Sequence, residues 1–242
     1  MEEVTIILDV RDVYKRFGGI EALKGVSFSV RRGERVGLIG PNGAGKTTLF
    51  NIISGIYMPD RGRVIYKGVD ITGWPAYRRS RAGIARTFQI VRPLANLTVL
   101  NNVIVGALLR TNDIREARER AMEAIDMVGL AGKEDILAKD LNLIEKKRLE
   151  LARALATQPE LLLLDEIAAG LRPREVDDLV YTLLEISKRG ITIIMVEHVM
   201  RAVMNFAERV IVLHFGEKIA EGTPREVASN KLVIEAYMGT GG

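Results

Sequence analysis

The stretch GPNGAGKT, Gly40 to Thr47, decides how this chain is read. It matches the pattern G-x-x-x-x-G-K-[S/T], in which a glycine-rich turn wraps phosphate oxygens with backbone N–H groups. The pattern carries that chemistry only between a strand and a helix. Here it succeeds the short β-branched run RVGLI (35–39) and opens a helical pattern, TTLFNIISGI, that ends near Gly55. Gly40, Gly43 and Gly45 let the backbone turn tightly, with Pro41, Asn42 and Ala44 completing the loop. A helix starting near Lys46 points its positive end at the same anion. Lys46 can reach the β and γ phosphates, Thr47 can ligate Mg²⁺, and Thr48 can add a hydrogen bond. The expected ligand is a nucleoside triphosphate with Mg²⁺.

The other half of such a site is an acidic residue at the end of a buried strand. LLLLDE (161–166) is a short apolar run without alternation, as in the central strand of a parallel sheet. Asp165 is expected to hold Mg²⁺ through water, since that ion keeps most of its waters and needs few carboxylates. Glu166 is placed to polarise the attacking water.

Outward from these two stretches the chain alternates. VTIILDVRDV (4–13), VSFSV (26–30) and RVIYKG (63–68) read as strands. From about Val91 to Ala156 strand signals vanish and apolar residues fall at helical spacing. Asp113 is a candidate N-cap there and Gly129 a candidate stop. VDDLVYTLLEISKRG (176–190) is an amphipathic helix, ITIIMVEH (191–198) a second buried strand, and RVIVLHFGEKIAEG (209–222) a hairpin-like pair around Gly216. The expected organisation is one α/β domain over 1–242. Its core takes in 1–90 and 156–242, and a helical subdomain takes in 91–155.

Composition narrows the function. The 242 residues are 48% hydrophobic, enough for a real core. A formal charge of +4 suits an anionic ligand but is too weak to imply nucleic acid, so no nucleic-acid partner is expected. With no cysteine, disulfide frameworks and thiolate metal sites are excluded. The acidic start, MEEVTIILDV, does not read as a signal peptide. The apolar runs LLLL and ITIIMV are far too short to span a bilayer. Any membrane role then requires a partner.

Taken together, GPNGAGKT, RTFQ with Gln89, LELARALATQPELLLLDE and VEH with His198 resemble the ATP-binding cassette family, from about Leu8 to Gly216. The resemblance implies a P-loop NTPase fold: a mixed sheet, an N-terminal antiparallel β portion and an inserted helical subdomain. It implies that Phe17, in YKRFGG, stacks on adenine, with Tyr14 as the alternative. It makes Gln89 a metal and catalytic residue joining the metal site to the helical subdomain, and His198 the switch histidine at the γ-phosphate. His214 matches nothing and is expected to be structural. ALKGVSFSV, RTFQIVRPLANLTVLNNV, AAGL and EGTPREVASNKLVIEAYMG are most similar to importers of branched-chain amino acids. The expected partners are a second cassette and integral membrane permease subunits, at the cytoplasmic face of the cell membrane.

One segment departs from the family. The signature, usually L-S-G-G-Q, is LNLIE (141–145) here. Asn142 stands for the serine and keeps N–H donors for a partner's phosphate. Leu143 and Ile144 replace glycines, and a β-branched Ile144 would be strained at positive φ. Glu145 adds a negative charge, unless it lies in the first helical turn and points away. Ile167 and Arg172 also depart from the usual proline and acidic or amide residue. These changes leave two expectations: a hydrolysing motor, or an ATP-binding regulatory subunit that relies on a partner cassette.

Overall fold

A computed structural model describes residues 5–88 and 93–238. The first long element, β1 (Ile6–Phe17), turns at Gly18 into β2 (Ile20–Arg31). On its other side β1 pairs with β4 (Arg61–Tyr66), which pairs with the short β5 (Val69–Asp70). These strands form an antiparallel sheet in the order β2-β1-β4-β5. β2 extends well before the VSFSV run, because Ile20 to Lys24 pair with β1; the exposure of Ile20 and Glu21 hides this start in the sequence.

The second sheet holds β3 (Arg35–Ile39), β6 (Ile84–Arg86), β7 (Leu161–Asp165), β8 (Thr192–Val196), β9 (Arg209–His214) and β10 (Glu217–Gly222). Its order is β10-β9-β3-β8-β7-β6. The β9–β10 pairing is antiparallel and the others are parallel, so the sheet is mixed. Every residue of β7 and β8 is buried, which accounts for their unbroken apolar runs. Helix α1 (Lys46–Ile53) comes after β3 and packs Leu49, Phe50, Ile52 and Ile53 between the two sheets.

A short helix, α2 (Ala76–Ala82), precedes β6; neither element is evident from periodicity because each spans only two turns or fewer. Between β6 and β7 lie α3 (Val99–Ala107), α4 (Ile114–Met127), a 3-10 turn at Ala138–Asp140 and α5 (Leu143–Ala156). Thr98 caps α3, so the helical stretch begins later than its apolar pattern. Asp113 caps α4 by accepting the Arg115 N–H, and Gly129 ends it at φ 71°. Helices α3 and α5 touch backbone to backbone: a Cβ at Gly106 would lie 2.4 Å from the Arg153 carbonyl oxygen. The chain closes through α6 (Pro173–Ser187), α7 (Met200–Phe206), α8 (Pro224–Ala228) and α9 (Lys231–Met238). Pro173 starts α6 earlier than its amphipathic pattern does, at a position where its missing N–H costs nothing.

Candidate functional site

The loop from Gly40 to Gly45 leaves the end of β3 and passes directly into α1. Two glycines are obligatory. A Cβ at Gly40 would sit 2.1 Å from the Leu213 carbonyl oxygen, and one at Gly45, where φ is 101°, would sit 2.5 Å from that of Ala22. The loop is therefore wedged between β9 and the β1–β2 hairpin. Lys46 is 5% exposed and donates to the carbonyls of Gly40 and Pro41 at 2.7 and 2.9 Å. Burial holds its pKa below the usual lysine value, and the nearby carboxylates of Glu166 and Asp165 pull the other way.

Above the loop is a cleft of about 400 Å³, lined by Asn42 to Thr48, Lys24, Glu166, His198, Ile20 and Phe215. Asp165 ends β7 and Glu166 comes directly after it, with β8 lying between β7 and the loop-bearing β3. Glu166 adopts a left-handed φ of 49°, unusual for a glutamate. The conformation is held from both sides: its N–H donates to the Val196 carbonyl at 2.9 Å, and Lys147 Nζ donates to its carbonyl at 3.3 Å. Its Oε1 lies 2.8 Å from His198 Nε2, so the two are hydrogen-bonded. Asp165 is 3% exposed; one oxygen, Oδ2, accepts from Arg86 at 2.7 Å, and Oδ1 is buried without a hydrogen-bond partner. Among the described residues no group of three or more His, Cys, Asp or Glu gathers to hold a metal ion. A lone orphaned carboxylate oxygen fits an ion that keeps its waters, as Mg²⁺ does, and not a fully protein-caged one.

Phe17 does not line this cleft. Its ring meets Tyr57 edge to face, with centroids 5.2 Å apart, and Lys15 Nζ lies 5.5 Å from it. Tyr14 packs on Gly25, where any Cβ would fall 2.7 Å from its hydroxyl. The exposed aromatic that does reach the cleft is Phe215, which sequence reasoning passed over; its ring leans on His214 at 4.2 Å. Gln89 lies outside the described residues.

The unusual signature folds without strain. Asn142 is the N-cap of α5, its Oδ1 accepting the Glu145 N–H at 3.0 Å while the Glu145 carboxylate accepts the Asn142 N–H at 2.9 Å. Glu145 is also paired with Lys133, so its charge is turned into the helix start. Neither Leu143 nor Ile144 has a positive φ. Leu143 rests on Gly170 of the AAGL segment. Arg172 donates its N–H to Glu175 at 2.7 Å at the start of α6. The burial of three charged side chains near the cleft, those of Arg86, Lys147 and Glu197, was not foreseen from the sequence. For Arg86 and Glu197 the only signal was a charged residue at the end of an apolar run; Lys147 sits among charged neighbours and gave none. Glu197 is 1% exposed and its Oε1 accepts the Ala168 N–H at 2.6 Å.

A mainly parallel sheet bearing a phosphate loop, with an acidic strand end two strands away and a glutamate and histidine over the cleft, defines a P-loop ATPase. Comparison with known proteins narrows this. A profile of the ABC transporter family matches residues 23–169, and one described as branched-chain amino acid ATP-binding cassette transporter matches 217–242. The high-affinity branched-chain amino acid transport ATP-binding protein LivG of Salmonella typhimurium is 39% identical, over 96% of this chain and 98% of its own. BraF of Pseudomonas aeruginosa, of the same description, is 38% identical over the same shares. A nucleotide-free ATP-binding cassette from an ABC transporter superposes with TM-score 0.88 at 33% identity, over 96% of this chain and 98% of that one. A dimeric cassette in a post-hydrolysis state, bound to ADP and Pi, superposes with TM-score 0.81 at 28% identity, over 90% of this chain and 99% of that one. This chain belongs to the ABC transporter family, as an ATP-binding cassette, the component that hydrolyses ATP.

Proposed function

We propose that this cassette drives an importer of branched-chain amino acids, bound to separate permease subunits at the cytoplasmic face of the membrane. The supporting observation is similarity to LivG and BraF over nearly the whole chain, including a C-terminal segment whose matching profile carries that description. No helix among the described residues is long and apolar enough to cross a membrane, so the transport path would belong to other chains.

The work is divided among a few residues. The N–H groups from Gly43 to Thr48 and the start of α1 cradle the triphosphate. Lys46 exchanges its loop carbonyls for β and γ phosphate oxygens. Thr47 and the unpartnered oxygen of Asp165 would hold Mg²⁺, with Gln89 proposed as a further ligand; bound there, the ion would supply charge neutralisation for phosphoryl transfer. Glu166 orients and deprotonates the attacking water, and His198, already hydrogen-bonded to it, contacts the γ-phosphate. A second cassette closes over the cleft, its Asn142 amide facing the γ-phosphate of this one. Closure transmits ATP binding to the permease, because the closed pair holds ATP more tightly than the open one.

The test is uptake of leucine, isoleucine and valine by vesicles containing the cassette with its permease. Glu166→Gln is expected to lower ATP-driven uptake by about 10²–10⁴-fold, the range of a lost general base. The same variant, alone in solution, should dimerise only when Mg-ATP is present. A variant that binds ATP yet stays monomeric would refute the two-cassette closure for this chain alone. Uptake unaltered by the substitution would refute the role of Glu166.

A further inference from the structure

We propose that Arg86 is the positioning residue for the metal-binding carboxylate, dividing the two oxygens of Asp165 between protein and ion. This rests on the reading of Asp165 as a metal ligand. Arg86 ends β6, separated from β3 in the sheet by β7 and β8, and its side chain is 7% exposed. One guanidinium nitrogen donates to Asp165 Oδ2 at 2.7 Å. The other donates to Asn51 Oδ1 at 2.6 Å and Ser54 Oγ at 3.0 Å, on α1 and its C-cap. The guanidinium also lies against the rings of Phe50 and Phe88, at 5.7 and 5.3 Å from their centroids. A single planar fork thus ties the metal carboxylate to the helix that carries Lys46 and Thr47.

What the fork leaves undone is more telling. Arginine and carboxylate commonly pair side by side through two parallel hydrogen bonds. Here Arg86 Nε and Asp165 Oδ1 are both buried and without partners. A side-by-side pair would satisfy both and occupy both carboxylate oxygens. The fork is instead turned toward α1, and Oδ1 stays open at the cost of two unsatisfied groups. Because a carboxylate is planar, fixing Oδ2 also fixes the direction of Oδ1. The arrangement therefore presents one aimed oxygen to an ion coordinated by water.

Binding, not turnover, tests this. Affinity for a fluorescent ATP analogue is measured in EDTA, and Mn²⁺ affinity of the protein–nucleotide complex by electron paramagnetic resonance. The variants are Arg86→Met, Arg86→Lys and Asp165→Asn. Loss of a residue that orients a metal ligand typically weakens metal binding about 10–100-fold. Arg86→Met is expected to weaken Mn²⁺ binding within that range and leave affinity in EDTA unchanged. Arg86→Lys keeps the charge but cannot span Asn51 and Asp165, and should weaken it in the same direction. If Arg86→Met does not fold, the lysine variant decides. Unchanged Mn²⁺ affinity in the Arg86 variants, with a loss in Asp165→Asn, overturns the positioning role alone. Equal losses in EDTA and with metal overturn it too, since they report a distorted loop. Unchanged affinity in Asp165→Asn instead overturns the assignment of Asp165.

Discussion

Glu197 carries a carboxylic acid almost out of reach of water. Burial pushes its pKa up to about 7, although the N–H groups of Ala168 and Val199 and the ammonium of Lys147 favour the charged form. Its Oε2 has no hydrogen-bond partner. The folded pKa thus exceeds that of the unfolded chain, so the native state holds the proton more tightly. The stability linked to that proton is complete below the ordinary glutamate range and is lost as pH rises through about 7. Glu197→Gln keeps the acceptor for Ala168 and has no charge to bury. Denaturant unfolding across this window should show the wild type losing on the order of 3 kcal/mol relative to the variant. Parallel stability curves would refute it. Residues of this kind were invisible in the sequence, where VEH drew attention only to its histidine. A buried glutamate and a solvated one are spelled alike, and only the three-dimensional neighbours tell them apart. Asp165 and Glu166 were legible because their strand was: four consecutive leucines mark a buried strand, and an acidic pair at its end stands out against them.

At the scale of elements, the start of α5 answers a question the letters LNLIE leave open. Helix propensity and a capping box agree there, so the segment closes an ordinary N-terminus without the usual glycines. Asn142→Ala removes the cap and is expected to cost about 1 kcal/mol, with Asn142→Ser recovering most of it. Thermal unfolding would check both; an alanine variant as stable as the parent would show that Glu145 and Lys133 suffice. Long periodic helices, the two central strands and the terminal hairpin were readable because their patterns repeat. α2 and β6 were not, being shorter than any period can establish. The surroundings of Phe17 were not legible for a related reason: its neighbours in sequence match a family pattern, but its ring meets Tyr57, far along the chain.

At the scale of the molecule, the two sheets are joined by more than apolar packing. Arg209 on β9 donates to both oxygens of Glu34, to the Ser29 carbonyl on β2 and to Glu221 on β10. Burial opposes ionisation of Glu34, yet these hydrogen bonds hold its carboxyl below the usual range. The order of strands has a different consequence. β3, which delivers the phosphate loop, finds its two sheet neighbours at Ile193 and Arg209, near the far end of the chain. Each parallel pairing must close a long loop first. During synthesis, then, the loop leaves the ribosome early and waits for its floor until β8 and β9 emerge. Stalled nascent chains ending before β8 should fail to retain ATP, and those that have released β9 should retain it. For this protein, nucleotide would serve as a late witness of folding, and the cell could not use it as an early template.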